Sequence, residues 1–270
     1  MAEHQRGVER NWWRGGAAPM LVLLLTPQLL LLLLSAGSGW SYPRLLPDRL
    51  DGGPWRQLLG YSGLLQAAVT GGLLSLVSGV MSTLFGLLIS RSVRRSRGVI
   101  RRLSRALLLL PFVISPVVAG VCLFDLAART GIAGSLAGVL FGQMLFGTAT
   151  AAVFLSDGWS DLAERQEQLV RSFGGGSAAV WRHAILPRTR GLLLICLLQT
   201  SLLSWLDYGI VLQIGGGRVQ TLTLRLFSLI RESSVNQAAL AGLLLLLPAL
   251  SAALLILVAL STRAVSEHAD

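Results

Sequence analysis

The stretch from Tyr61 to Ser90, YSGLLQAAVTGGLLSLVSGVMSTLFGLLIS, decides the fold class of this chain. It contains no charged residue and is dominated by leucine and small side chains. A helix rises about 1.5 Å per residue, so about 20 apolar residues cross the roughly 30 Å hydrocarbon core of a bilayer. Its Gly, Ala, Ser and Thr residues favour close helix contacts, which is typical of a helix inside a membrane bundle.

Five further segments have the same apolar character, which predicts an all-α integral membrane protein with about six transmembrane helices. The composition agrees, since 53% of the residues are hydrophobic and only 13% are charged, against about 25% charged in a typical soluble domain. The five further predicted spans are Ala17–Ala36, Ala106–Ala127, Ile132–Ser156, Gly191–Ile214 and Gln237–Leu260.

The first of these spans has an open alternative. Arg10 and Arg14 precede an apolar run over residues 20–34, and Ser35-Ala36-Gly37 has the small residues of a cleavage site. This is also the pattern of a secretory signal peptide. The segment is therefore either a first transmembrane helix or a cleaved leader.

Arginine placement predicts that both termini are cytoplasmic. With that orientation the inner segments hold 16 arginines and the outer segments 7, as the positive-inside rule requires. Seven of the inner arginines lie between Arg91 and Arg105. We interpret them as a topology signal beside anionic membrane lipid and not as a nucleic-acid site.

The residue types exclude several kinds of site. All 23 basic residues are arginine, so the chain has no Walker-A phosphate loop and no lysine nucleophile. Its two cysteines, Cys122 and Cys196, lie in predicted spans, and its three histidines are scattered along the chain. The sequence therefore nominates no catalytic residue, no metal site and no cofactor, and predicts a protein that is not an enzyme.

One loop is longer and more patterned than the others, from about residue 157 to residue 190. Asp161 and Glu164 give a helix-start pattern, and the glycines at 174–176 end the helix that follows. A second short helix is predicted from Ser177 to about His183, after which Pro187 begins the fifth span. The pattern predicts either an amphipathic element on the lipid surface or a docking element for a soluble partner.

Residues 173–187, FGGGSAAVWRHAILP, resemble the signature loop of the permease subunits of binding-protein-dependent ABC importers. That loop begins with Glu-Ala-Ala, continues to a glycine, and ends in an apolar residue, one further residue and Leu-Pro. Counting back from Leu186-Pro187 places the glycine at Gly174 and the apolar position at Ala184. The first position falls on Gln168, so this chain lacks the glutamate there, although Glu164 and Glu167 lie nearby.

Two other stretches support the resemblance. Residues 110–120 with 129–134 are similar to the third span and following loop of molybdate-, sulfate-, iron-, thiamine- and polyamine-type permeases, and residues 215–223 resemble an outer loop of that group. The resemblance covers roughly residues 58–260 and extends to methionine-importer permeases. We accordingly expect an N-terminal part, 1–57, with a cytoplasmic segment, the first span and an outer loop, and a permease domain, 58–265.

The resemblance implies a bacterial inner-membrane importer with separate subunits. Two ABC ATPase subunits, an extracytoplasmic solute-binding protein and a second permease subunit, identical or different, are the implied partners. The loop at 157–190 would be the ATPase-coupling loop. Its implied coupling residues are Gln168, Gly174, Trp181, Arg182, Ala184, Leu186 and Pro187.

Asp207 is the one carboxylate well inside a predicted span, which makes it a candidate for the solute path. Ser204, Trp205 and Tyr208 beside it complete the set of path candidates, and a cationic solute such as a polyamine or thiamine would fit a free carboxylate. The alternative is an Asp at the outer interface paired with Arg218 or Arg225. For the whole chain, the alternatives are a secondary transporter or channel without an ATPase, and a membrane scaffold subunit.

Overall fold

The computed structural model describes residues 19–20, 22–23, 25–38, 49–60, 62–158 and 161–267. Over these residues it is almost entirely helical, with one antiparallel pair of two-residue strands. The strands are β1 (Gly37–Ser38) and β2 (Arg49–Leu50). The helices are α1 (Leu25–Ala36), α2 (Gly53–Gly60), α3 (Ser62–Arg95), α4 (Gly98–Val113), α5 (Pro116–Arg129), α6 (Leu136–Gly158), α7 (Asp161–Ser172), α8 (Ser177–Ala179), α9 (Leu186–Trp205), α10 (Gly209–Gly215), α11 (Leu222–Arg231) and α12 (Val235–Glu267).

Three of the described helices are long and apolar enough to cross a membrane: Gly63–Arg95, Leu136–Ser156 and Val235–Leu254. Two bent pairs, α4 with α5 and α9 with α10, bring the number to five if each pair counts as one span. The chain is therefore a multi-pass helical membrane protein. The sixth predicted span lies within α12, and most of the second and of the fourth lies within α3 and α6.

Two predicted spans are not single helices, contrary to the sequence prediction. The segment at 106–127 bends by 104° between α4 and α5, because Ser115 precedes Pro116 and is held in an extended conformation with ψ 138°. The segment at 191–214 bends by 56° where α9 ends at Trp205. The first predicted span lies partly outside the described residues, and the helix seen there, Leu25–Ala36, is shorter than a span.

The chain forms two compact units. One consists of residues up to Gln66 with Arg225–Leu247, and in it the Asn236 side-chain amide donates to the carbonyls of Leu34 and Gly37, both at 2.7 Å. These bonds satisfy carbonyls at the end of α1 that have no partner within the helix. The other unit consists of Ala67–Leu224 with the chain from Pro248. The boundary predicted between residues 57 and 58 stays a prediction.

In the larger unit, α3 packs closely against α6 and α9 through small residues. A Cβ at Gly86 would lie 2.3 Å from the Cβ of Ala151, and one at Gly79 would lie 2.0 Å from the Ser201 hydroxyl. The buried hydroxyls of Thr83 and Thr200 share a hydrogen bond of 3.2 Å across the α3–α9 contact. Small side chains and interhelical hydrogen bonds are the means by which helices associate where lipid removes the hydrophobic drive.

We expect Gly86→Ala to destabilise the protein by about 1–3 kcal/mol, because the new methyl group meets the Cβ and backbone of Ala151, which cannot rotate away. The matched control is Gly72→Ala in the same helix, where the nearest atom to a new Cβ is 3.7 Å away on Trp205. The measurement is the thermal unfolding midpoint of each variant in detergent. Equal midpoints for the two variants would contradict the close contact between α3 and α6.

Candidate functional site

The segment after α7 contains a left-handed turn at Gly174. Its φ is +77°, and the N–H of Gly174 donates to the Arg171 carbonyl while that of Gly175 donates to the Val170 carbonyl. This pair of bonds is the Schellman arrangement, which ends a helix by satisfying its last carbonyls. Glycine is favoured at this position because a Cβ is strained at positive φ. The turn therefore ends α7 before α8 begins.

The helix that follows the turn is continuous, which corrects the sequence prediction of a short helix ending near His183. From α8 the chain passes into a π-helical turn, Val180–Ile185, and then directly into α9. The N–H of Leu186 donates to the carbonyl of Trp181, five residues back. Pro187 lies in the first turn of α9, directly after the π-helical turn.

A cluster of charged side chains joins α7 to the end of α3. One oxygen of Glu167, Oε1, accepts hydrogen bonds from Arg91 at 2.6 Å and from Arg171 at 3.2 Å, and also from Arg95. The Glu167 and Arg91 side chains are only 11% and 15% exposed. The Arg91 guanidinium also lies over the Trp181 ring, 5.0 Å from its centroid. We call Arg91, Arg95, Glu167, Arg171 and Trp181 the charged cluster.

The electrostatics of the charged cluster favour an ionised Glu167. Burial by itself would raise the pKa of the carboxyl, but the hydrogen bond and charge of Arg91, followed by Arg171 and Arg95, lower the pKa below its ordinary value. Trp181 adds to the same contact, since a guanidinium over an indole ring is attracted by its electron-rich face. The cluster therefore ties α7, the segment after Gly174 and the end of α3 into one assembly.

The predicted coupling residues divide between a buried and an exposed side. Trp181 is half-buried and packs on an apolar group that includes Leu87, Leu155 and Val180. Gln168, Arg182 and Leu186 are exposed, as is Phe173, with 88% of its surface accessible. Gly174 forms the turn and Pro187 begins α9, as described above. The side chain of Ala184 lies outside the described residues.

The break between α9 and α10 is held by a polar network. Gln143 of α6 donates from Nε2 to Asp207 Oδ2 at 3.1 Å and to the Ser204 carbonyl at 3.3 Å. Its Oε1 accepts from the Ser204 hydroxyl at 2.7 Å. Asp207 Oδ1 in turn accepts from the N–H of Ile210 in the first turn of α10, at 3.3 Å. Asp207 therefore caps α10 and binds α6 at once.

The structure brings the four solute-path candidates together at this break. Ser204 and Trp205 are buried, and Asp207 and Tyr208 are half-buried. Trp205 contributes its carbonyl, which accepts from Thr223 at 2.8 Å. Asp207 forms no ion pair among the described residues, and Arg225 instead pairs with Glu232 at 3.4 Å.

Sequence reasoning missed the partners of both groups. Gln143 is the one residue with an amide side chain between Leu136 and Leu155 in α6. An isolated amide in an apolar helix is the sequence signal that could have identified it as a partner of Asp207. Arg91 and Arg95 were interpreted only as topology markers. Glu167 was noted only as a neighbour of Gln168, because burial of Glu167 against α3 depends on a contact across more than 70 residues.

Among curated proteins, the chain is similar to two sulfate permeases. It is 28% identical over 184 residues to the sulfate transport system permease protein CysW of Synechocystis, covering 63% of this chain and 67% of the relative. It is 30% identical over 188 residues to the chloroplastic sulfate permease 2 of Chlamydomonas reinhardtii, covering 64% of this chain and 51% of the relative. The match thus spans about half of the second relative. No protein-family model matches the chain.

Among solved structures, the fold matches the crystal structure of an amino acid ABC transporter with histidines. The TM-score is 0.56, and the match covers 75% of this chain and 95% of that chain at 14% sequence identity. The resemblance to type I ABC importer permeases is confirmed. Gly174, Trp181 and the α7 members of the charged cluster lie in or beside the segment that resembles the signature loop, Arg91 and Arg95 lie at the end of α3, and Asp207 lies in the break of the fifth predicted span.

We expect Glu167→Gln to destabilise this permease-like chain by about 1–2 kcal/mol at neutral pH. Most of this loss is the interaction with half-buried Arg91, because solvent screens the more exposed Arg95 and Arg171. The pKa of Glu167 is lowered on folding, so its contribution is present above its ordinary pKa of 4.5 and is lost as the pH falls through the lower folded value. The measurement is the unfolding free energy of both proteins from pH 7 to pH 3.

The control for this experiment is Glu232→Gln, which removes an exposed pair with Arg225 at 3.4 Å. We expect that change to stay within about 0.5 kcal/mol at every pH. A difference between parent and Glu167→Gln that does not shrink below pH 4.5 would show that the ionised carboxylate is not what stabilises the cluster.

Proposed function

We propose that this chain is the permease subunit of an ABC importer in the bacterial inner membrane, with both termini in the cytoplasm and six transmembrane helices. It pairs with a second permease subunit, two ATPase subunits and an extracytoplasmic solute-binding protein. The observation that carries the proposal is the left-handed turn at Gly174, thirteen residues before Pro187, in a chain related to named permeases. That spacing is the one the signature loop requires.

The exposed side of residues 168–186 supports ATPase docking. Phe173, Leu169 and Leu186 are 88%, 56% and 53% exposed. Apolar side chains at the tip of a polar segment are a common mark of a protein contact. Gln168 is exposed beside them and replaces the glutamate of the signature, so its contact with the ATPase is a neutral hydrogen bond and not an ion pair.

The buried side supports transmission of ATPase movement to the spans. Glu167 and Trp181 hold α7 and the π-helical turn against the end of α3, while the turn continues without a break into α9. A displacement of the docked segment therefore reaches α3 through side chains and α9 through the backbone. This arrangement meets the requirement for contiguous packed contacts between two coupled sites.

We further propose that the solute is an oxyanion of the sulfate type. Both curated relatives are named sulfate permeases. The earlier case for a polyamine or thiamine depended on an unoccupied carboxylate, whereas Asp207 is engaged by Gln143 and by α10. In this proposal Asp207 shapes the broken span and does not select a cation.

We expect Gly174→Val to abolish ATPase association and uptake while Gly176→Val preserves both. A new Cβ meets nothing within 4 Å at either position, but Gly174 has φ +77° and Gly176 has φ −68°. The strain of a left-handed β-branched residue costs about 1–2 kcal/mol and straightens or shifts the turn. The measurements are co-purification of the ATPase with each variant and sulfate uptake by cells.

Intact ATPase binding and uptake by Gly174→Val would refute the docking assignment. A chain that transports solute with no ATPase present would instead support a secondary transporter. Equal loss in both variants would point to a general sensitivity of the loop, which the proposal does not predict.

We expect Asp207→Asn to lower stability by about 1–3 kcal/mol and to reduce uptake of every transported solute alike, because one carboxylate oxygen becomes a donor facing another donor. The matched control is Asp125→Asn, which loses only a 68% exposed carboxylate paired with Arg129 at 2.8 Å. Uptake of sulfate and of spermidine is measured for the parent and both variants. If the parent takes up spermidine and Asp207→Asn removes that uptake alone, the proposal is wrong. Asp207 would then select a cation on the solute path.

A further inference from the structure

The two segments that contribute the charged cluster have more arginines than carboxylates. Three arginines converge on the single Oε1 atom of Glu167. Residues 91–105 and 157–190 together contain twelve arginines and four carboxylates. Even if every carboxylate neutralised one arginine, eight positive charges would remain. Arginines held together without counter-charge repel one another, and they attract anions.

Part of this excess surrounds a cleft of about 380 Å³ between the end of α3 and α7. Its lining includes five arginines and one carboxylate, and we call it the basic cleft: Arg91, Arg94, Arg95, Arg97, Arg171 and Glu167. The Nε of Arg91 is buried and has no hydrogen-bond partner among the described residues. A buried donor of this kind normally finds an acceptor.

We propose that the basic cleft binds a phosphate group, carried by an anionic phospholipid or by a free phosphate anion. The planar guanidinium matches the oxygen pairs of phosphate and can bind them through two parallel hydrogen bonds. Arg95 and Arg171 keep 58% and 48% of their side-chain surface exposed beside Glu167, so both have donors left for a ligand. Arg97 is also exposed.

The position of the basic cleft makes a lipid headgroup accessible. Arg91, Arg94 and Arg95 lie within the last five residues of the apolar helix Gly63–Arg95, so they lie where a spanning helix leaves the hydrocarbon. Basic pockets beside transmembrane helices are known binding places for phospholipid headgroups. Because Arg171 belongs to α7, a bound phosphate would also bridge α7 and α3.

The experiment uses the full-length chain, delipidated in neutral detergent and titrated by calorimetry in two arms. One arm adds phosphatidylglycerol, with phosphatidylcholine as the neutral reference, and the other adds inorganic phosphate. The cleft variant is Arg95→Gln with Arg97→Gln. The matched control is Arg101→Gln with Arg102→Gln, which removes the same charge from exposed α4 residues that do not line the cleft.

We expect phosphatidylglycerol to bind the parent, and the cleft variant to weaken binding roughly thirtyfold, since each arginine near an anionic headgroup contributes substantially. The control should change affinity by less than about threefold. Arg95→Lys with Arg97→Lys keeps the charge but loses the paired guanidinium hydrogen bonds, so we expect its affinity to lie between those of the parent and the glutamine variant. Binding of inorganic phosphate with the same dependence on the variants would also support the site and assign it a soluble ligand.

Equal weakening by the cleft variant and the control variant would overturn the proposal in favour of diffuse attraction by a basic surface. Absence of binding in both arms, or equal loss in the lysine and glutamine variants, would overturn it as well. None of these measurements needs an ATPase or a transported solute. Failure here is thus distinguishable from failure of the proposed importer function.

Discussion

A helix in hydrocarbon must satisfy its backbone polar groups from within the protein, because lipid offers them no partner. The break between α9 and α10 shows how this protein meets that constraint. At the α9–α10 break, Asp207 accepts from the N–H of Ile210 while Gln143 donates to the Ser204 carbonyl. Before Pro187, the π-helical turn continues the backbone bonds into α9. Gln143, Ser204 and Asp207 thus meet where the backbone pattern changes, whereas Thr83 and Thr200 join two unbroken helices.

The segment at 168–187 lies outside the apolar helices and is joined to the rest of the larger unit by the backbone of α9 and by the charged cluster. Gly174 lets α7 end with its carbonyls satisfied, and the chain then re-enters a helix that runs unbroken to Trp205. The contact of α7 with α3 is polar, through Glu167 and Arg91, and both side chains are mostly buried. A carboxylate at that depth requires positive partners, and α3 supplies Arg91 and Arg95 from its C-terminal end.

Local patterns predicted the parts of this structure that depend on short segments of chain. Apolar length predicted α3, α6 and α12, and the glycine run predicted the turn at Gly174. The bend at Ser115-Pro116 carried a local signal too, but apolar length outweighed it, so a single span was expected. The partnership of Gln143 with Asp207 joins residues 64 apart, and no local pattern encodes which helix faces which. Such pairings follow from packing, through small residues such as Gly86 and Gly79 that set the distance between helices.

Arginine has two physical roles in this chain, and the structure separates them. Counted along the sequence, its excess in the segments predicted to be cytoplasmic predicts orientation, which needs only charge. Within the larger unit, Arg91 stacks on Trp181, binds Glu167 and keeps a further buried donor, which needs the shape of the guanidinium. Arg101 and Arg102 are exposed on α4 and suffice for the first role. Lysine would serve for orientation, but the planar, multiply donating contacts of Arg91 require arginine.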